Sequence, residues 1–381
     1  MKLPLSLYVH FPWCVRKCPY CDFNSHEPKG KLPEVEYINA LIADLDRDLK
    51  VFNIEPGQKL HSIFMGGGTP SLFAGQSIQR FMDKLSERLT LDSDTEVTLE
   101  ANPGTADVDN FSAYRDAGIN RLSLGVQSFG RSQLQALGRI HTSNEAVQAF
   151  HAARIAGFEN INLDLMHGLP QQNLNGALND LETAIGLEPE HISWYQLTVE
   201  PNTVFYNRPP KLPNDDDLWA IYEKGESLLS SHGYHRYEVS AFCRPERASK
   251  HNLNYWQFGD YLGIGAGAHG KLSIEEQGKR KISRTNKTRL PADYLRESKL
   301  NTQIVSGEEY KIEFLMNGLR LVEGFETKLF ENRTGQAASQ LEPFYLEAES
   351  KGLLARSENN VRPTSLGLQY LNDLLVLATD Y

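Results

Sequence analysis

The amino-acid sequence predicts an α/β protein whose first 200 residues form a parallel β-sheet. Six short segments of apolar or alternating residues, typical of strands, recur along this part of the chain. Longer segments with apolar residues at three- and four-residue spacing, typical of helices, separate them. Strands that alternate with helices form βα units, which place successive strands parallel to one another. The periodicity leaves open whether the sheet is flat or closes toward a barrel.

The elements follow one another in a regular order. The predicted strands span residues 5–11, 62–65, 96–101, 121–127, 160–166 and 191–199. The predicted helices span residues 34–52, 76–91, 108–117, 144–156 and 174–186. Gly118, Gly157 and Gly186 stand where helices are expected to end, because glycine readily adopts the left-handed conformation of a helix C-cap.

After residue 200 the pattern changes. Prolines between residues 201 and 213 and the acidic run 215–217 indicate a linker or a surface crossing. Residues 230–290 are rich in aromatic residues and glycine, which indicates strands or irregular structure, and from about Glu308 helical periodicity returns. We expect a core domain at 1–235, a β-rich connector at 236–300, and a small helical domain at 301–381. The helix–hairpin–helix order of the last domain resembles a winged helix.

Composition narrows the class of protein. The 39 basic and 49 acidic residues give a net charge of −10, which disfavours binding to nucleic acid or to an anionic membrane surface. No segment approaches the roughly 20 apolar residues of a membrane span, and the first residues lack the cleavage pattern of a signal peptide. Three of the four cysteines lie within eight residues, which indicates a metal site in a reducing compartment. We therefore expect a cytoplasmic protein.

Polar and glycine residues follow the ends of the predicted strands. The cysteines follow the first strand, residues 66–69 follow the second, Glu100 and Gln127 lie at the ends of the third and fourth, and Asp164 lies late in the fifth. Parallel sheets carry their active sites at the carboxyl ends of the strands, so we expect these side chains to meet in one cleft.

The cysteine loop carries the strongest chemical signal. Cys14, Cys18 and Cys21 are separated by three and two residues, so that three thiolates can surround one metal centre. A structural zinc ion usually has four protein ligands, and His10 or His26 is available as the fourth. The other interpretation is an iron–sulfur cluster with three cysteine ligands and one iron left open for an exchangeable ligand.

The Cys-x3-Cys-x2-Cys spacing, with Tyr20 before the last cysteine, resembles that of the radical S-adenosylmethionine family. The run Gly-Gly-Gly-Thr-Pro at 66–70 resembles the glycine motif of the same family. The resemblance implies a partial TIM-like (β/α)6 barrel, a 4Fe-4S cluster, and S-adenosylmethionine (SAM) that is cleaved by an electron from the cluster.

Further motifs are similar to the branch of this family that contains oxygen-independent coproporphyrinogen III oxidase, whose members bind two SAM molecules. The resemblance assigns to the cluster-bound SAM the residues Tyr8, Tyr20, Gly67 and Glu100. It assigns to the second SAM the residues Gly68, Thr69, Gln127, Arg139 and Asp164.

One motif departs from the oxidases. Their cysteine motif continues as Cys-x-Cys, whereas Phe23 stands at that position here, and the chain has only seven residues before Tyr8, too few for the oxidases' N-terminal extension. Both features resemble the HemW-type heme chaperones. The segment His-Asn-Leu-Asn-Tyr-Trp that starts at His251 resembles the heme-binding motif of that group, which implies His251 as a heme ligand and Tyr255 and Trp256 as contacts to the porphyrin.

Three functional hypotheses follow. The first is a heme chaperone that transfers heme to a respiratory heme protein and receives electrons from a donor protein. The second is an oxygen-independent coproporphyrinogen III oxidase that uses a 5′-deoxyadenosyl radical. The third is a zinc-stabilised scaffold or a radical enzyme that acts on a different substrate.

Overall fold

The structure, a computed structural model, describes residues 3–105 and 108–379. The strands are β1 (Leu5–Phe11), β2 (Leu60–Gly67), β3 (Glu96–Ala101), β4 (Arg121–Gln127), β5 (Ile161–His167), β6 (His191–Gln196), β7 (His235–Glu238), β8 (Ala241–Cys243), β9 (Asp260–Ile264), β10 (His269–Glu276), β11 (Lys279–Lys287), β12 (Leu300–Ile304), β13 (Phe325–Glu326), β14 (Leu354–Arg356) and β15 (Asn360–Pro363).

The helices lie mainly between the strands. They are α1 (Glu34–Val51), α2 (Gly75–Ser86), α3 (Val108–Asp116), α4 (Arg131–Ala136), α5 (Ser143–Ile155), α6 (Leu174–Gly186), α7 (Val204–Asn207), α8 (Asp215–Ser231), α9 (Lys250–Trp256), α10 (Pro291–Arg296), α11 (Glu309–Gly318), α12 (Leu329–Thr334), α13 (Glu342–Ser350), α14 (Ser365–Gln369) and α15 (Leu371–Ala378). Within the two described ranges, none of these helices combines the length and the apolar character needed to cross a lipid bilayer.

The large sheet has twelve strands in the order β12-β11-β10-β9-β1-β2-β3-β4-β5-β6-β8-β7. Strands β1 to β6 are neighbours in chain order and run parallel, which confirms the predicted succession of βα units. Strand β9 adds in parallel beside β1 and is followed by the antiparallel β10, β11 and β12. At the opposite edge β8 adds antiparallel to β6, and β7 adds antiparallel to β8.

Alternation along the parallel strands separates a packed face from an inner face. In β4, which is buried along its whole length, Leu122, Leu124 and Val126 belong to the main apolar core, whereas Ser123 and Gln127 line a cavity. This division follows from the two-residue period of a strand. Helix α9 contacts β2, and it also forms a hydrogen bond to Tyr237 of β7. Because β2 and β7 are far apart in the strand order, the sheet curves around this helix as a partial barrel.

The C-terminal region forms a second packing unit. Helices α11 to α15 surround a small antiparallel sheet with the order β13-β15-β14, and a separate apolar cluster that includes Phe314, Phe330 and Phe344 fills the space between them. The hairpin β14–β15 lies between α13 and α14, which is the helix–hairpin–helix order that the sequence predicts.

The structure corrects two local predictions. The acidic run 215–217 is the first turn of α8 and not a linker, because the Asn214 side chain caps this turn by accepting a hydrogen bond of 2.9 Å from the backbone N–H of Asp217. Aspartates at a helix N-terminus are favoured by the helix dipole. The segment 230–290, predicted to be strands or irregular, contains helix α9, which begins at the capping residue Ser249.

Candidate functional site

A cavity of about 280 Å³ lies at the carboxyl ends of the parallel strands. The sequence analysis assigns thirteen residues to bind the cluster, SAM or heme iron. Eleven of them line this cavity, namely Cys14, Cys18, Tyr20, Cys21, Gly67, Gly68, Thr69, Glu100, Gln127, Arg139 and Asp164. The convergence follows from the parallel order of the strands, because each residue lies in or after the carboxyl end of its strand. Tyr8 and His251 are not among the lining residues.

The cysteine loop connects β1 to α1 and folds back on itself. The backbone N–H of Cys14 donates to the carbonyl of His26 at 3.0 Å, and the N–H of Cys21 donates to the carbonyl of Cys18 at 3.1 Å. These bonds fix the loop so that its three thiols line one cavity. Burial raises the pKa of the Cys14 and Cys21 thiols, so a bound cation is needed to stabilise their thiolates near neutral pH.

Each cysteine sulfur has at least one polar side chain beside it. The Thr69 hydroxyl donates to Cys14 Sγ at 3.4 Å, and Arg139 Nη1 donates to Cys18 Sγ at 3.6 Å. The hydroxyl of Ser25 lies 3.8 Å from Cys21 Sγ. Hydrogen bonds to ligand sulfurs orient the ligands of a metal centre and adjust its reduction potential, so this arrangement suits metal-bound thiolates.

The glycine run after β2 packs directly against the cysteine loop. The N–H groups of Gly68 and Thr69 donate to the carbonyls of Phe11 and Trp13, both at 2.7 Å. A Cβ atom on Gly68 would lie 2.5 Å from each of those carbonyl oxygens, which real side chains essentially never do. Gly67 has a φ of +100°, in the region that favours glycine. The run therefore gives the backbone close access to the cavity.

Two half-buried carboxyl groups face the cavity from β3 and β5, the strands on either side of β4. Glu100 Oε2 accepts a hydrogen bond of 3.0 Å from the backbone N–H of Gly67, and burial together with the nearby Asp164 raises the pKa of Glu100 to about 8. Burial also raises the pKa of Asp164, although hydrogen bonds from Ser123 and Asn162, both 2.8 Å long, oppose the rise. A cationic ligand in the cavity would favour the ionised form of both groups.

An arginine and an amide line the same cavity beside these carboxyl groups. Arg139 Nη2 donates to the carbonyl of Gly125 at 2.6 Å and also to the side chain of Asn102. Gln127 ends β4 with a φ of +68°, a rare conformation for a residue other than glycine, and its Oε1 accepts a hydrogen bond of 2.9 Å from the Tyr195 hydroxyl. Sequence reasoning missed Asn102 and Tyr195. Asn102 directly follows β3 and was detectable by the strand-end rule, whereas Tyr195 resembles a core aromatic residue.

His10 does not have a free nitrogen to offer as the fourth ligand of a zinc site. Its Nδ1 lies 2.9 Å from the Tyr8 hydroxyl and its Nε2 lies 2.8 Å from the carbonyl of Asn24, so both ring nitrogens have hydrogen-bond partners. Burial lowers the pKa of His10 to about 4. Across residues 3–105 and 108–379, no three Cys, His, Asp or Glu side chains are placed to hold a single metal ion. The three sulfurs instead border a cavity, a donor set that fits a larger cluster.

His251 lies inside the partial barrel. Its side chain is 3% exposed, and its ring stacks on Phe64 with 4.6 Å between the centroids and lies 6.4 Å from the ring of Tyr8. Burial lowers the pKa of His251 to about 3, and among the described residues Nδ1 has no hydrogen-bond partner. In this conformation the imidazole is therefore neutral and shielded from solvent.

Comparison with known proteins extends these observations. Residues 8–184 match the radical SAM superfamily, and residues 305–370 match the HemN C-terminal domain. The chain is 49% identical to the heme chaperone HemW of Haemophilus influenzae over 98% of this chain and 97% of that one. It is 48% identical to the heme chaperone HemW of Escherichia coli over 98% of both chains. It is 37% identical to the heme chaperone HemW of Bacillus subtilis over 95% of this chain and 96% of that one.

One solved structure shares the whole architecture. Coproporphyrinogen III oxidase (HemN) from Escherichia coli, a radical SAM enzyme, superposes with a TM-score of 0.81 over 99% of this chain and 90% of that one. The sequence identity is 21%, so the similarity establishes the fold alone. It covers the partial barrel and the helical C-terminal region together.

Proposed function

Because the chain belongs to the HemW family within the radical SAM superfamily, we propose that it is a heme chaperone that binds heme and transfers it to an acceptor heme protein. The observation that supports the cofactor part of this proposal is the meeting of three thiols with two half-buried carboxyl groups in one cavity. The match to HemW proteins along nearly the full chain supports the chaperone part.

Cys14, Cys18 and Cys21 would hold a 4Fe-4S cluster, and the cavity beside them would hold SAM. When bound, such a cluster supplies an iron with an exchangeable coordination position and an electron for the cleavage of SAM. Thr69 and Arg139 donate hydrogen bonds to two of the ligand sulfurs. Glu100 and Asp164, which line the cavity, supply the acceptors that an ammonium group and ribose hydroxyls need.

The remaining sequence-derived residues keep their proposed roles, except Tyr8. Tyr20, Gly67, Gly68 and Gln127 would contact SAM from the cavity wall. Tyr8 lies behind the wall and would act by positioning His10, to which its hydroxyl bonds. We propose an electron donor protein as a partner and a cytoplasmic location, in keeping with three unpaired thiols that need a reducing compartment.

His251 is our candidate axial ligand of heme iron. An imidazole nitrogen is a good ligand for this metal, and the unpartnered Nδ1 of His251 is available for it. Because the His251 ring is buried against Phe64, heme iron can reach it only after α9 moves away from β2. Tyr255 and Trp256 lie on the same helix and would follow this movement.

Parallel assays on anaerobically purified protein test the proposal against the oxidase alternative. The wild type should take up heme stably and should not convert coproporphyrinogen III to protoporphyrinogen IX when supplied with reductant and SAM. Cys18→Ser should lose the iron–sulfur absorbance, whereas Cys243→Ser, a change at the cysteine outside the loop, should retain it. His251→Ala should weaken heme uptake, with His232→Ala at an exposed site as the control. Turnover of coproporphyrinogen without heme uptake would establish the oxidase instead.

A further inference from the structure

A chain of hydrogen bonds links Asp164 in the cavity to helix α9 at the other end of the partial barrel. Asn162 Nδ2 donates to Asp164 Oδ1 at 2.8 Å, and Asn162 Oδ1 lies 2.6 Å from His191 Nδ1. His191 Nε2 lies 2.9 Å from the Tyr237 hydroxyl, which accepts a hydrogen bond of 3.2 Å from Asn252 Nδ2. We call these five side chains the relay.

The direction of every bond in the relay is determined by one backbone group. The N–H of Ser193 donates to Asn162 Oδ1 at 3.0 Å, which assigns the amide oxygen and nitrogen of Asn162. His191 must then donate through Nδ1 and accept through Nε2, so the Tyr237 hydroxyl must donate to His191. The donors therefore all point the same way, from Asn252 to the carboxylate of Asp164.

Burial and charge keep the relay in this arrangement. The side chains of Asn162 and His191 are buried, and burial with the nearby positive charge of Arg121 holds the pKa of His191 well below its usual range. His191 therefore stays neutral, as a relay with one donor nitrogen and one acceptor nitrogen requires. Among the described residues, Arg121 has no carboxylate within 4 Å, so its charge acts on the relay and on Asp164 without an ion pair of its own.

The far end of the relay is the start of helix α9. The carboxylate of Glu96 accepts hydrogen bonds from the backbone N–H groups of Lys250 and His251, at 3.1 and 3.0 Å. Asn252, the last member of the relay, is the next residue along the chain. The relay therefore ends beside the candidate heme ligand, at the first turn of the helix that must move to expose it.

We propose that the relay couples occupation of the cavity by SAM to the seating of helix α9 against the sheet. This inference rests on the proposed function, because it requires that the cavity bind SAM. A positively charged ligand favours the ionised form of Asp164, and hydrogen bonds to an ionised acceptor are roughly twice as strong as neutral ones. Aligned donors polarise one another, so the strengthening passes along the relay to Asn252. SAM would hold α9 in place, and its departure would release His251.

Hydrogen exchange measured by mass spectrometry tests the coupling on the cluster-loaded full chain, with and without SAM. SAM should slow exchange of the α9 amides about five-fold or more in the wild type, which is the lower range of measured allosteric couplings. Tyr237→Phe removes one hydroxyl from the middle of the relay and should abolish the effect of SAM on α9. Tyr234→Phe is the matched control, because it removes a buried hydroxyl that bonds to the carbonyl of Pro189 outside the relay. It should retain the effect.

Equilibrium dialysis of SAM with each protein separates the possible failures. If the wild type does not bind SAM, the proposed function is wrong and the coupling falls with it. If both the wild type and Tyr237→Phe bind SAM, and SAM slows exchange of the α9 amides equally in the two proteins, the proposed coupling is wrong while the proposed function stands. Asn252→Leu breaks the relay at its far end and decides the matter if Tyr237→Phe does not fold. It should bind SAM and show no protection of α9.

Discussion

Glu100 provides a sensitive test of the electrostatics of the cavity. The side chain is half-buried near Asp164, and no Lys, Arg or His nitrogen of the described residues lies within 4 Å of its carboxylate. Its pKa is about 8 in the folded chain, against 4.5 when it is unperturbed. Glu100→Gln removes the charge and keeps an oxygen that can accept the hydrogen bond from the N–H of Gly67.

The sign and size of the effect follow from proton linkage. Below pH 4.5 Glu100 is protonated in both the folded and the unfolded chain, so it contributes no pH dependence. Between pH 4.5 and about 8 the unfolded chain ionises first, and the free energy of unfolding therefore falls as the pH rises. Between pH 5 and pH 9 the loss amounts to about 4 kcal/mol in the wild type. Glu100→Gln should not show this loss.

Urea denaturation of the reduced, cluster-free protein at pH 5 and pH 9 measures the difference. The two proteins should unfold with free energies within about 1 kcal/mol at pH 5, and the variant should be more stable by about 4 kcal/mol at pH 9. Comparing the variant with the wild type cancels the titration of groups that do not interact with Glu100, whereas the titration of the interacting Asp164 remains in the difference. Glu223→Gln, at an exposed site, is the control and should follow the wild type. Identical pH dependence in wild type and Glu100→Gln would refute the reasoning.

Three further predictions concern the same cavity. Binding of SAM near pH 7 should release protons, because the positive charge of SAM lowers the pKa of Glu100. Calorimetry in two buffers of different ionisation enthalpy would detect the released protons, and equal heats of binding in the two buffers would contradict the prediction. Gly68→Ala should destabilise the fold by about 1–3 kcal/mol in thermal unfolding, since its Cβ meets the carbonyl of Phe11, and an unchanged melting temperature would exclude the close packing. Thr69→Val removes the hydrogen bond to Cys14 and should lower the reduction potential of the cluster in voltammetry; an unchanged potential would show that this bond has no influence.

Much of the fold could be predicted because it depends on local patterns. The strands β1, β3 and β4 match the predicted ranges residue for residue, since each is a mostly buried run with clear boundaries. Helix α9 could not be found this way. It has seven residues, and its first turn is held by Glu96, which lies more than 150 positions away in the sequence.

The sequence also predicted which residues meet at the site, but not how deeply each side chain lies. Strand-end position and family motifs identified the residues that meet in the cavity, but neither shows how deep a side chain lies, so the positions of Tyr8 and His251 were missed. The relay left a weaker signal in the sequence. Asn162 and Asp164 are polar residues at alternate positions of a strand whose other residues before His167 are apolar, which predicts that they share the inner face.

The most direct test of the central claim is Mössbauer spectroscopy of the anaerobically reconstituted protein, recorded with and without SAM. Three cysteine ligands leave one iron of a 4Fe-4S cluster chemically distinct. We predict that the signal of this one iron changes when SAM is added and that the signals of the other three do not. A spectrum in which all the iron sites are equivalent, or in which SAM changes nothing, would contradict the claim that Cys14, Cys18 and Cys21 hold such a cluster beside a SAM-binding cavity.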